Sequence, residues 1–71
     1  MKQIDVERLY VELDRRRRHE GTTWSAIAKK CGSSPAAMSR MGRGTVPTAD
    51  VFVRLLLWLG TTDFGGFLKD S

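Results

Sequence analysis

Apolar residues recur along this chain at helical spacing, in separate runs divided by glycine, proline and threonine. Val6, Leu9, Tyr10 and Leu13 fall at i, i+3, i+4 and i+7 and define one stripe. This spacing predicts an amphipathic helix over residues 4–19 that Gly21 closes, with Arg15, Arg16, Arg17 and Arg18 in its last turn, where the helix dipole is negative. Ile27, Ala28 and Cys31 predict the inner face of a second helix over about 24–31, capped by Thr22 or Thr23, with Lys29 and Lys30 turned outward. Gly32 supplies a turn. Ser34 followed by Pro35 is a helix-start signal, because the hydroxyl caps and proline has no N–H to leave unpaired.

The third helix is expected over about 35–41, with Met38 and Met41 inward and Gly42 and Gly44 ending it. Thr45–Val46–Pro47 reads as an extended link. Thr48 is the expected cap of a fourth helix over 49–59, with Val51, Phe52, Leu55, Leu56 and Leu59 as its buried stripe and Gly60 as its stop. Thr61 or Thr62 is expected to cap a last short helix using Phe64, Phe67 and Leu68, against which Gly65–Gly66 works. No segment alternates in the manner of a strand. The fold class expected is all-α, a compact bundle of about five short helices in a single domain spanning residues 1–71.

Charge changes this picture by its distribution. The chain carries 12 Lys and Arg against 8 Asp and Glu, a net charge of +4. Between Glu20 and Asp50 there is no acidic residue, while Lys29, Lys30, Arg40 and Arg43 all lie there and the flanks are nearly neutral. A one-signed helix pair built from small residues suits close approach to a polyanion. A domain of 71 residues buries only a small core, so short loops or oligomerisation are expected.

Cys31 is the single cysteine, so no intrachain disulfide forms, and one Cys with one His (His19) makes no zinc site. This fits a reducing, cytoplasmic setting. The longest apolar run, Leu55 to Leu59, is far too short to span a bilayer, and the charged N-terminus has no signal-type run. The polar residues offer no nucleophile–base pair, carboxylate pair or metal cluster. No enzyme activity, cofactor, metal, membrane or small-molecule ligand is expected.

From Thr22 to Gly44 the chain resembles the helix-turn-helix of the Cro/repressor-type (Xre) family. The matching skeleton is Ile27–Ala28, Gly32, Ser34, Met38, Ser39, Arg40, Met41, Arg43 and Gly44, followed by Pro47, an apolar fourth helix, Leu59–Gly60 and a closing segment from Phe64 to Leu68. The likeness covers about residues 6 to 68 and implies a lambda-repressor-like DNA-binding domain, with a helix-turn-helix core over about 23–42 and a recognition helix over about 34–41. Small residues have a physical role in that arrangement. Ala28 permits close helix approach, and Ser33, Ser34, Ala36 and Ala37 let the third helix lie deep in the major groove.

By position, the resemblance implies that Ser34, Pro35, Ala36 and Arg40 face base edges and that Thr23, Trp24, Ser39 and Arg43 face phosphates. Arg40 is the long donor of the base-facing set, so it is expected to read a guanine, with Ala36 or Pro35 against a thymine methyl. There are two departures. Trp24 stands where the family often has glutamine, and Gly42 where it often has glutamate.

Several features have more than one reading. Arg15 to Arg18 are expected to form a solvated helix end balanced by Glu12, Asp14 and Glu20 rather than a nucleic-acid contact. Trp24 either meets a phosphate or shields the core edge, and both can hold together. Cys31 is expected to be a small core residue. The fourth helix is apolar almost all round, so Val53 and Leu57, neighbours at i and i+4, should form an exposed patch with Trp58. A homodimer or partner surface is expected there. The functional expectation is a double-stranded DNA-binding transcriptional regulator, a repressor acting as a dimer. The competing expectation is a protein-interaction adaptor or antitoxin-type partner-binding protein that works through the fourth helix.

Overall fold

The computed structural model describes residues 1–61 and 63–70. Four α-helices carry the fold: α1 Val6–Glu20, α2 Trp24–Lys30, α3 Pro35–Gly42 and α4 Ala49–Leu59. A 3-10 turn, Phe64–Phe67, and two short strands, β1 Lys2–Ile4 and β2 Leu68–Asp70, complete it. The domain is therefore mostly helical with a small sheet, rather than five helices.

Each helix starts on a residue that satisfies an orphan backbone donor. The side chain of Asp5 accepts from the Arg8 amide (3.2 Å), Thr23 from Ala26 (3.1 Å), Ser34 from Ala37 (3.1 Å) and Thr48 from Val51 (3.4 Å). Of the two threonines expected to open α2, Thr23 is the cap. The Thr22 backbone instead bonds to α1, donating to the Arg17 carbonyl (3.1 Å) and accepting from the Arg17 guanidinium (3.4 Å). Cys31, expected inside α2, is the residue just past its end.

The core lies between α1, α2, α3 and α4. Leu9, Leu13, Ile27, Ala28, Cys31, Met38, Met41, Leu55 and Leu56 are almost wholly buried, joined by Val6, Phe52 and Phe67. Tyr10, Val51 and Leu59, expected inside, are half-buried against this cluster. α1 packs against α3, α4 and the 3-10 turn, and α2 packs against α3. Among the described residues no helix is long and apolar enough to cross a membrane.

Two expectations are corrected. The first helix begins at Val6 rather than residue 4, because residues 2–4 are extended and pair antiparallel with β2, in the register Lys2↔Asp70, Gln3↔Lys69 and Ile4↔Leu68. An ion pair between Lys2 and Asp70 (2.9 Å) and a bond from the Asp5 amide to the Phe67 carbonyl (2.7 Å) fasten this ribbon to the start of α1. The last helix is a single 3-10 turn capped by Asp63, whose carboxylate accepts from the Gly66 amide (3.3 Å). Thr61 is not its cap; its hydroxyl accepts from the Asp63 amide (3.0 Å), and Thr62 lies outside the described residues. The two glycines at its centre resist a longer helix, and Leu68 leaves it for the strand.

Candidate nucleic-acid interface

α2 and α3 are joined by a tight turn whose geometry requires glycine. Gly32 sits at φ +69°, a left-handed conformation that side chains rarely adopt, and the Ser33 amide returns to the Ala28 carbonyl at 2.8 Å. The same turn is covered from α4. A Cβ at Gly32 would meet the Arg54 guanidinium, the exposed end of a flexible side chain that can move aside, so it is the positive φ that calls for glycine. Nothing local in the sequence marks Arg54 for this position, since the contact joins residues on different elements.

α3 turns Met38 and Met41 into the core and leaves Pro35, Ala36, Ser39 and Arg40 exposed, with Ser34 exposed before it and Arg43 exposed at its end. All six residues of this helix singled out as base- or phosphate-facing are therefore solvent-accessible together. Among the described residues neither Arg40 nor Arg43 has an ion-pair or hydrogen-bond partner for its side chain, and the same holds for Lys29, Lys30 and Arg54.

Thr23 is exposed at the start of α2. Trp24 is half-buried and forms part of a stack: its ring lies 4.7 Å from that of Tyr10, nearly parallel at 12°, and the Arg17 guanidinium sits 5.5 Å from it. Tyr10 also explains Gly42. A Cβ at Gly42 would stand 2.9 Å from the Tyr10 ring, so α3 ends on glycine because the tyrosine of α1 lies against its backbone. One aromatic ring thus borders both the start of α2 and the end of α3. Arg43 lines the same cleft of about 340 Å³ as Tyr10 and Glu7.

The arginine run on α1 behaves differently. Arg15 pairs with Glu12 (3.1 Å), Arg16 with Glu20 (3.3 Å), and Arg17 and Arg18 share Asp14 (2.7 and 3.0 Å), as the sequence reading of a balanced helix end requires. Arg16 also lies over the Trp58 ring at 5.9 Å.

On α4, Val53 is 40% and Leu57 61% exposed, whereas Trp58 is half-buried at the edge of the core. Leu57, Trp58, Lys30, Cys31 and Arg54 line one cleft. The Cys31 thiol is raised above its ordinary pKa by burial, a shift that Arg54 and Lys30 partly oppose, and it is held as a neutral core group. Among the described residues no group of three His, Cys, Asp or Glu is placed to hold a metal ion.

No protein-family model, no curated protein and no solved structure matches this chain.

Proposed function

We propose that this protein is a sequence-specific double-stranded DNA-binding regulator with a lambda-repressor-like helix-turn-helix, in which α2 lies across the groove and α3 enters it. The observation that carries the reading is the exposed face of α3. It presents Arg40, with Arg43 at its end, neither ion-paired among the described residues, and its other outward side chains, Pro35, Ala36 and Ser39, are short. Small side chains let the helix backbone approach base edges, and unpaired guanidinium groups suit guanine and phosphate. Ser34, Pro35, Ala36 and Arg40 face bases. Thr23, Trp24, Ser39 and Arg43 face phosphates, with the indole N–H of Trp24 as donor.

In this reading the protein acts as a homodimer through Val53, Leu57 and the edge of Trp58, placing two recognition helices one helical turn apart on DNA. Occupancy of the operator excludes polymerase, which makes the protein a repressor. It works in the cytoplasm and needs neither cofactor nor metal.

The test is fluorescence anisotropy of a labelled random-sequence duplex, titrated with protein at several salt concentrations. The slope of log affinity against log salt counts the phosphates neutralised. A steep negative slope that flattens by about one in Arg40→Ala plus Arg43→Ala, with Arg43 as the phosphate contact of the pair, is the expected result. Absence of binding at low salt defeats the reading.

The exposed Val53–Leu57 patch favours a second reading, an adaptor that binds a protein partner. Serine at both positions separates the two. The regulator then loses dimerisation and operator affinity together, whereas the adaptor loses a partner and keeps its DNA behaviour.

A further inference from the structure

The link between α3 and α4 contains an exposed apolar residue beside the arginine expected to read bases. Val46 is 52% exposed. It lines a cleft of about 250 Å³ together with Arg40, Ala37, Thr45 and Pro47. The Arg40 carbonyl accepts from the Thr45 amide (3.0 Å), which folds the link back over the end of α3 and fixes Val46 near the arginine. Thr48, also on the wall, accepts from the Val51 amide (3.4 Å) at the start of α4. The cleft therefore offers an apolar wall with one unpaired guanidinium at its rim.

In the major groove, the 5-methyl group of a pyrimidine is the apolar feature of a base edge, and guanine presents two acceptors that fit an arginine fork. Resting on the DNA-binding reading above, we propose that Val46 and Arg40 act as one reading unit for a 5-methylpyrimidine next to a guanine, with the methyl against Val46 and Ala37 and the guanine on Arg40. Two bases carry that methyl, thymine and 5-methylcytosine. Val46 is a specificity-determining residue here and contributes nothing to the phosphate contacts.

The test begins with enrichment of bound sites from a random duplex library by the full chain. The best site is then remade with thymine or deoxyuridine, and with 5-methylcytosine or cytosine, at the pyrimidine beside the guanine. Loss of the methyl weakens wild-type binding roughly four-fold, the effect of one buried methylene-sized group. Val46→Ala brings that ratio near one and leaves the salt slope unchanged, while the similarly shaped Val46→Thr also reduces it and controls for altered loop shape. A preference for the thymine pair alone assigns an ordinary operator, and an equal preference for 5-methylcytosine over cytosine assigns a site sensitive to methylation; both support the unit. A methyl preference that survives in Val46→Ala, or enriched sites with no 5-methylpyrimidine beside guanine, overturns it while leaving DNA binding intact. No enrichment at any salt defeats the parent reading instead.

Discussion

Arg15, Arg16 and Arg18 of α1 are exposed, as are Arg40 of α3 and Arg43 at its end, but the two sets stand in different electrostatic company. Arg15 to Arg18 sit within one turn of three carboxylates and each is ion-paired. Arg40 and Arg43 lie in a segment with no acid between Glu20 and Asp50, and among the described residues neither is ion-paired, although Glu7 lines the same cleft as Arg43. A count of cations favours α1 as the nucleic-acid surface, and a map of pairing favours α3. A neutralised arginine has little field left for a phosphate at a distance, and reaching one means giving up its carboxylate.

The comparison breaks most directly by removing cations from each side. Arg40→Ala with Arg43→Ala should cost about 100-fold in duplex affinity at low salt, whereas Arg15→Ala with Arg18→Ala should change it by less than about three-fold. Equal losses in the anisotropy titration would erase the distinction. Gly42→Ala probes how α3 is held against α1. The added methyl meets the Tyr10 ring, and overpacking outweighs the gain in helix propensity by about 1 kcal/mol. The thermal midpoint should fall by several degrees and recover partly when Tyr10 is replaced by valine. The smallest effect runs the other way. Asp14→Asn releases Arg17 and Arg18 from their shared carboxylate, and duplex affinity at low salt should rise about two- to three-fold and the gain should vanish as salt is added.

Much of this was legible because it is local. The caps Thr23, Ser34 and Thr48, the turn at Gly32, the inward Met38 and Met41 and the balanced arginine run all follow from residues within a few positions of one another. The ribbon was not legible, since three residues are too few to show alternation and their partners lie at the other end of the chain. The roles of Gly42, Arg54 and Val46 were hidden for the same reason. Each depends on a residue from another element or on a fold-back of the link, and the nearest sequence neighbours are silent about it.

The two tryptophans give the molecule an optical reading of its own state. Trp24 stacks on Tyr10 and has the Arg17 guanidinium over its ring, and Trp58 lies beneath Arg16, so consecutive residues of α1 each meet one indole on a different helix. Emission from Trp24 will register whatever arrives at the start of α2. Emission from Trp58, on α4, will register contact at the Val53–Leu57 patch, and single replacements by phenylalanine separate the two signals without any added label.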